Sequence, residues 1–347
     1  MQNIFELEYS KVENILNNIG EKSYRIKQIY QWIFQKKITN FSQMSSLSKN
    51  LRNYLEETFT IGLPKIVTIN NSVDGSQKFL LELSDKTNIE MVLIPHLNKN
   101  TLCISSQVGC ARKCSFCATA QMGLIRNLTI AEIVGQVYLA QLELGDKRLT
   151  NIVFMGMGEP FDNYDNVISA VKMLQNKEMF KISPRRITLS TSGVIPGIEK
   201  LSREGIRVKL AISLNSAIPE KRKTLMPITN KYSIPELKKT LQNYSHRTHF
   251  PVTFEYVMIR NFNMGKDDIK ALIKFVGDLS CKINLIPWNS LNYLSYESPS
   301  KMEITDFSEK LKRINSAVTI RKSRGNDINA ACGQLAFHSI NDKNSLL

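Results

Sequence analysis

Apolar residues recur at helical spacing in the first part of the chain and at strand-like spacing after it. The segment SYRIKQIYQWIFQKK has apolar residues at helical spacing, which predicts mainly helical structure over residues 1–60. Pro64 and the stretch NNSVDGS end this pattern, and KIVTI, QKFLLELS and NIEMVLIP then read as short strands. We therefore predict a small helical N-terminal domain, residues 1–62, and a β-rich connector, residues 63–100.

Strands and helices alternate from about residue 101 onward. Strands are predicted at TLCISSQ, NIVFMGM, RITLSTS, VKLAISLN, VTFEYVMI, INLIPWN and AVTIRKS. Helices separate them; the first carries a capping box of Thr129 and Glu132, and the last is TDFSEKLKRIN. This alternation predicts an α/β fold whose parallel sheet winds into a full or partial barrel over residues 101–340.

Polar and sulfur-bearing residues follow the predicted strand ends. In a parallel barrel the active site lies at the carboxyl ends of the strands. Behind the successive strands come three clustered cysteines and then Gly158, Glu159, Ser190, Ser213, Asn215, Asn289 and Cys332. This polarity predicts one shared site at that end of the barrel.

The charge of the chain favours a polyanionic partner. The formal net charge is +15, and residues 172–223 hold twelve basic residues against four acidic ones, Arg185, Arg186 and Arg222 among them. A basic surface attracts RNA through counterion release, although a solubilising surface is the simpler alternative. No apolar run reaches membrane-spanning length, and the acidic N-terminus lacks the pattern of a secretory signal, so we expect a cytoplasmic protein.

Three of the six cysteines fall in the segment Cys110-Ala-Arg-Lys-Cys114-Ser-Phe-Cys117. Thiolates at this spacing can bind three irons of a [4Fe–4S] cubane and leave the fourth iron open. S-adenosylmethionine (SAM) can chelate that iron, and its reductive cleavage gives a 5′-deoxyadenosyl radical. The alternative is a zinc site, for which only His96 and Cys103 lie near enough in sequence to supply a fourth ligand.

Several ordered motifs carry a resemblance to a known family. TLCISSQVGCARKCSFCATAQMG, VFMGMGEP, ITLSTSGV, LAISLN, LMPI, LIPWN and DINAACGQL are similar, in this order, to the RlmN-type RNA adenine-C2 methyltransferases of the radical SAM superfamily. YRIKQIYQWIF also resembles their helical N-terminal domain. The resemblance implies a partial (β/α)6 radical-SAM barrel, one [4Fe–4S] cluster on the three cysteines, and two SAM molecules per turnover.

The resemblance also assigns residues that would contact SAM. It implies that Gly158 and Glu159 hold the methionine end of SAM, with the carboxylate accepting from the ammonium group. The further SAM-contacting positions are Ser190, Ser213, Leu214, Asn215 and Asn289. The family commonly has histidine where this chain has Asn215, and an amide cannot carry a proton at neutral pH, so this contact differs in detail.

Three more residues receive roles from the resemblance alone. It implies that Cys332 carries the methyl group, that Cys103 is the resolving thiol which forms a transient disulfide with it, and that Glu90 removes the C2 proton. From the residues alone, each cysteine would more often be buried and inert, and Glu90 an exposed strand residue. Cys281 matches no family site and is interpreted as structural.

The implied substrates are an adenosine in the peptidyl-transferase loop of 23S rRNA and the adenosine 3′ of the tRNA anticodon. We expect a monomer served by an electron donor of the flavodoxin or ferredoxin type. The N-terminal domain and residues 172–223 are the candidate RNA contacts.

Other functions stay open at this point. The Cfr type methylates C8 of the same rRNA adenosine by the same chemistry, but the segments Gly158–Pro160 and Arg324–Asp327 look more like RlmN. A zinc-stabilised RNA-binding protein without catalysis, or a radical enzyme with a non-RNA substrate, would also fit a basic chain with clustered cysteines.

Overall fold

The N-terminal segment is helical, as predicted. In the computed structural model, which describes residues 1–312 and 316–336, the helices are α1 Tyr9–Asn18, α2 Tyr24–Tyr30 and α3 Lys49–Thr58. A two-residue parallel ladder, β1 Gln2–Asn3 with β2 Phe59–Thr60, joins the two ends of this segment and was not predicted. The helices surround a core of apolar side chains that continues into the rest of the molecule.

The connector strands belong to the barrel sheet. They are β3 Lys65–Asn71, β4 Gln77–Glu82 and β5 Asn88–His96, and they pair antiparallel in sequence order. Strand β5 then pairs antiparallel with β6 Lys99–Cys103, the first strand of the barrel, which places Val92 opposite Cys103. The predicted strands are therefore present, but the connector is not a separate layer, because its strands satisfy the edge hydrogen bonds of β6.

A short ribbon holds the cysteine segment in place. Strand β7 Gln107–Gly109 and strand β8 Leu124–Asn127 pair antiparallel, with helix α4 Ala118–Gln121 between them. The amide of Cys110 donates to the carbonyl of Gly123 at 2.8 Å. Gly109 has φ +76°, and a Cβ there would lie 1.8 Å from the Gly123 oxygen, so only glycine allows this closure. The sequence pattern did not predict the ribbon.

The barrel follows the predicted alternation. Its further strands are β9 Asn151–Phe154, β10 Ile187–Thr191, β11 Lys209–Ser213, β12 Val252–Met258, β13 Cys281–Pro287 and β14 Ala317–Ile320. Its helices are α5 Ile130–Leu144, α6 Tyr164–Gln175, α7 Ile195–Arg203, α8 Pro219–Leu225, α9 Ile234–Thr248, α10 Lys266–Val276 and α11 Lys301–Leu311. Strands β6 and β9–β14 are all parallel, and β14 and β3 lie at opposite ends of the ten-stranded sheet. This confirms the α/β fold with a partial (β/α)6 barrel, to which β14 adds one strand.

Two helices differ from the sequence pattern. Helix α8 was not predicted, and α11 begins at Lys301 rather than Thr305 because Ser300 caps it. The predicted end of α11 at residues 313–315, and the predicted barrel residues 337–340, lie outside the described residues. Within the described ranges, no helix is both long and apolar enough to cross a lipid bilayer.

The N-terminal helices pack against α5 on the outside of the barrel. The Phe34 ring lies 4.7 Å from Phe180 and 6.3 Å from Tyr138, measured between centroids. The Tyr138 hydroxyl donates to the carbonyl of Ile33 at 3.1 Å, and Lys37 donates to two carbonyls at the end of α5. Helix α5 is therefore buried on most sides and anchors the N-terminal segment to the barrel.

Replacing Thr129 with alanine should destabilise the fold through the start of α5. The Thr129 hydroxyl accepts from the Glu132 amide at 3.3 Å, and the Glu132 carboxylate accepts from the Thr129 amide at 2.9 Å. We expect the free energy of unfolding to fall by about 1 kcal/mol, measured by urea denaturation. Thr305→Ala, inside α11, is the control and should change it by less than about 0.5 kcal/mol. Equal stability of the two variants would contradict the cap.

Candidate active site

The three clustered cysteines line one cavity, here called the first cavity, at the carboxyl ends of the barrel strands. The amide of Cys117 donates to the carbonyl of Cys114 at 3.2 Å, which tightens the segment. The amide of Ala118 donates to the carbonyl of Gly333 at 2.7 Å. This hydrogen bond brings the turn that contains Cys332 to the same cavity, which Cys332 also lines.

The surroundings of these thiols suit a polynuclear cluster. Burial raises the pKa of Cys110 to about 12 and also raises the pKa values of Cys114 and Cys117, so thiolates need a compensating positive charge such as bound iron. In the described part of the chain, no three cysteine, histidine or carboxylate side chains converge as a single-ion site requires. In a cubane each thiolate binds a different iron, so the three cysteines fit the predicted cluster.

Most residues predicted to contact SAM line the same cavity. They are Gly158, Glu159, Ser190, Ser213, Asn215 and Asn289. The exception is Leu214, whose side chain packs in the hydrophobic core and whose carbonyl accepts from Arg222. Parallel strands bring these residues together because their carboxyl ends meet at one edge. Their individual contacts with SAM stay a prediction.

Glu159 is held rigidly at the cavity wall. One carboxylate oxygen accepts from the amide and the hydroxyl of Ser192, both at 2.7 Å, and the other accepts from the Phe161 amide at 3.1 Å. Burial raises the pKa of Glu159, and these hydrogen bonds oppose the rise. Glu159 is also the N-cap of the 3₁₀ turn Pro160–Asn163, so its carboxylate caps a helical turn and lines the cavity at the same time.

Asn215 is fixed by the neighbouring strand. It has φ +57°, a left-handed conformation that asparagine tolerates. Its side-chain oxygen accepts from the Val257 amide at 2.9 Å, and its side-chain nitrogen lies 3.1 Å from the sulfur of Met226. The Asn215 side chain therefore accepts a hydrogen bond from a backbone amide near the end of β12. This structural role accompanies the predicted SAM contact.

A second cavity adjoins the first and contains both remaining predicted thiols. Cys103 lines the second cavity and Cys332 lines both, as do Asn289 and Arg321. Burial raises the pKa of Cys103 to about 12; Cys332 raises it further, whereas the Arg321 guanidinium opposes the rise. The Asn289 side chain donates to the Cys332 carbonyl at 3.0 Å and steadies the turn. Cys332 thus lies between the cluster cysteines and Cys103.

Glu90 lies close to the turn that contains Cys332, but it lines neither the first nor the second cavity. It is buried on β5 and forms an ion pair with Lys78 at 3.0 Å. The Lys78 ammonium also donates to the carbonyl of Asn329 at 3.4 Å, three residues before Cys332. Glu90 is therefore linked to the Cys332 turn through Lys78, and its role as the base stays a prediction.

Further cavity residues and one buried cation were not predicted to belong to the site. Glu255, Trp288 and Arg321 line the first cavity, and Arg222 lies behind its wall. Glu255, Trp288 and Arg321 all lie inside predicted strands, so the barrel polarity could have drawn attention to them. No sequence signal identifies Arg222, because a single arginine in a basic chain carries no positional information.

The basic region 172–223 is divided between the two ends of the barrel strands and does not form a single face. Arg185 and Arg186 immediately precede β10, so they lie at the amino ends of the strands, opposite the site. Arg222 is only 1% exposed and is not a surface residue. The basic side chains that line the same cavity as Cys103 and Cys332 are Lys99, Arg321, Lys322 and Arg324, with His96 beside Lys99 at the amino end of β6. The basic residues of 172–223 are close in sequence but not in space, because the strands between them separate them.

The partial barrel, the cysteine loop behind its first strand and the polar cavity at the strand ends define a radical SAM enzyme. Family comparison agrees: residues 104–276 match the radical SAM superfamily, and residues 2–61 match the ribosomal RNA large subunit methyltransferase N-terminal domain. The cofactors of this class are a [4Fe–4S] cluster and SAM.

Full-length relatives define the family more narrowly. The chain is 44% identical over 338 residues to a probable dual-specificity RNA methyltransferase RlmN of Dictyoglomus turgidum, covering 96% of this chain and 97% of the relative. A similarly named protein of Thermosipho melanesiensis is 43% identical, covering 96% and 98%. The crystal structure of a radical SAM methyltransferase from Sphaerobacter thermophilus superposes with a TM-score of 0.91 at 39% identity, covering 96% and 99%. The chain belongs to the RlmN family of radical SAM methyltransferases, as the sequence resemblance indicated, and it is not a zinc-stabilised binding module.

Gly158→Ala should weaken SAM binding without unfolding the protein. Gly158 has φ +97°, and a Cβ would lie 2.5 Å from the Gln107 side chain, so the turn that carries Glu159 must move. We expect at least a tenfold weaker SAM affinity, measured by equilibrium dialysis on the reconstituted protein. Gly145→Ala is the control, because Gly145 also has positive φ but no neighbour within 4 Å. Unchanged affinity of Gly158→Ala would remove this turn from the SAM site.

Proposed function

We propose that this protein methylates C2 of adenosine in 23S rRNA and tRNA through a methyl group carried on Cys332. The observation that carries the proposal is the position of Cys332, which lines both the cavity of the cluster cysteines and the cavity that contains Cys103. The relatives named dual-specificity RNA methyltransferases support the choice of substrates.

C2 of adenine lies between two ring nitrogens and is too electron-poor to attack a methyl cation donor directly. When bound, the cluster and SAM supply the methyl group and the radical chemistry that activates it. The protein's part is to carry that methyl group on the Cys332 sulfur, a good nucleophile as thiolate, and to present it to the base. The Asn289 side chain and the Ala118 amide hold the turn in position by donating to the carbonyls of Cys332 and Gly333.

Cys103 resolves the covalent intermediate in this proposal. Its thiolate attacks the Cys332 sulfur and breaks the bond between that sulfur and the methylene carbon attached to C2. The carbon keeps the electron pair of that bond and takes up a proton to become the methyl group, and the disulfide that remains must be reduced before the next turnover. Burial disfavours the Cys103 thiolate, and Arg321 favours it, so the guanidinium is placed to assist this attack. Both residues line the second cavity, as disulfide formation between Cys103 and Cys332 requires.

Glu90 is the proposed base for the C2 proton. The Lys78 ammonium, 3.0 Å from its carboxylate, keeps a positive charge beside it, and the Ser105 hydroxyl donates to the Glu90 backbone carbonyl at 2.6 Å. These contacts fix both the strand and the side chain. The proton acceptor can therefore be oriented before the substrate arrives.

We propose that RNA approaches through the second cavity. Four lysine and arginine side chains and one histidine line it together with both thiols. Cations position an RNA backbone through its phosphates, and adenines in loops are splayed out at low cost. In the cell we infer a cytoplasmic monomer with a one-electron donor of the flavodoxin or ferredoxin type.

Nucleoside mass spectrometry tests the proposed reaction. The reconstituted enzyme is incubated anaerobically with SAM, a reductant and either 23S rRNA fragments or tRNA, and 2-methyladenosine should form in both. Cys332→Ala should give none while retaining about four irons per chain. 8-Methyladenosine as the product would overturn the C2 assignment, and methylation by Cys332→Ala would overturn the methyl carrier.

Cys103→Ala should trap the RNA on the protein. Without the resolving thiol, the bond between the Cys332 sulfur and the base persists, so a covalent protein–RNA adduct should accumulate on a denaturing gel. Cys281→Ala provides the matched control, because Cys281 begins β13 and faces Ser316 rather than either cavity. Release of free, normally methylated RNA by Cys103→Ala would exclude it from the mechanism.

A further inference from the structure

Arg222 is an unusually enclosed cation. It lies on α8, is 1% exposed and has every side-chain nitrogen hydrogen-bonded. Its acceptors are all neutral: the carbonyls of Leu214, Ser192 and Ser213, and the hydroxyl of Thr229. Hydrogen bonds to neutral groups satisfy its donors but do not neutralise its charge.

No carboxylate in the described ranges lies within 4.0 Å of Arg222 to form an ion pair. Its neighbour Lys221 differs, with the Asp268 carboxylate at 2.7 Å. Buried charges are normally paired, because an isolated one loses its hydration without recovering it elsewhere. Burial lowers the pKa of Arg222 to about 10 and the Cys114 thiolate opposes this shift, so the guanidinium stays charged at neutral pH.

The position of Arg222 points to the missing counter-charge. The amide of Ser115, next to Cys114, donates to the carbonyl of Leu225 on the same helix at 3.0 Å. Two of the carbonyls that Arg222 binds are those of Ser192 and Ser213, residues that line the first cavity. Arg222 therefore lies behind the cavity wall, on the side of the cluster cysteines.

We propose that Arg222 is the buried counter-charge of the iron–sulfur cluster and raises its reduction potential. This inference rests on the cluster site of the proposed function. A cubane with three thiolate ligands carries a net charge of about −1, and about −2 after it takes up one electron. A fixed cation behind the wall stabilises the more negative state more strongly, because little water is present to screen it.

Redox titration of the reconstituted holoenzyme, without RNA, tests the role of Arg222. Dithionite with mediators sets the solution potential, and electron paramagnetic resonance measures the reduced cluster. At the wild-type midpoint, Arg222→Gln should lower the ratio of reduced to oxidised cluster at least tenfold, a shift of about 59 mV for one electron. Lys221→Gln removes a neighbouring cation that is already paired, so its ratio should stay within twofold of the wild type.

Arg222→Lys separates charge from hydrogen bonding. A lysine keeps the charge but not the planar fork, so its cluster should titrate near the wild-type potential even where the protein is less stable. If Arg222→Gln assembles no cluster, assembly by Arg222→Lys at the wild-type potential supports the charge role. A wild-type potential in Arg222→Gln, or failure of both variants to hold a cluster, overturns it. The proposed function is tested separately by the iron content and RNA product of the wild-type enzyme.

Discussion

The hydrogen bond from the Ala118 amide to the Gly333 carbonyl joins the two chemical centres of this protein. It connects the loop of cluster cysteines to the turn that carries Cys332, at an N···O distance of 2.7 Å. Both partners are backbone atoms, so the link does not depend on side-chain identity. Together with the hydrogen bond from the Thr119 hydroxyl to the Leu335 carbonyl, it holds the two loops against each other at the mouth of the barrel. The Asn289 side chain reinforces the same turn from β13.

The site also concentrates buried charge that the fold must stabilise. The Glu159 carboxylate, the Arg222 guanidinium and the three cluster thiols all lie in or behind the wall of the first cavity. Backbone amides and the Ser192 hydroxyl satisfy Glu159, whereas carbonyls satisfy the donors of Arg222. Burying these groups raises the free energy of the folded protein when no cofactor is bound. The arrangement becomes favourable when charged cofactors bind, because opposite charges then meet in a low-dielectric cavity. Cofactor binding and stability of the barrel mouth are therefore coupled.

The positive charge of the chain is less informative than its placement. A net charge of +15 predicts attraction to RNA, but it says nothing of where the RNA lies. The twelve basic residues of 172–223 include Arg185 and Arg186 at the amino ends of the strands and the buried Arg222. The basic side chains that line the second cavity come from two distant segments, around Lys99 and around Lys322. A charge count along the sequence could not have found this surface.

The sequence by itself determined most of the barrel elements and the chemistry of the cluster loop. The C-x3-C-x2-C spacing, the barrel alternation and the Thr129 cap are local patterns, and interactions between near neighbours in the chain largely decide them. Only the tertiary structure decided that the connector strands extend the barrel sheet, that Cys332 lies between two cavities and that Arg222 is buried. These features depend on packing between segments far apart in sequence. Spacing along the chain does not record which of the many possible long-range contacts minimises the free energy.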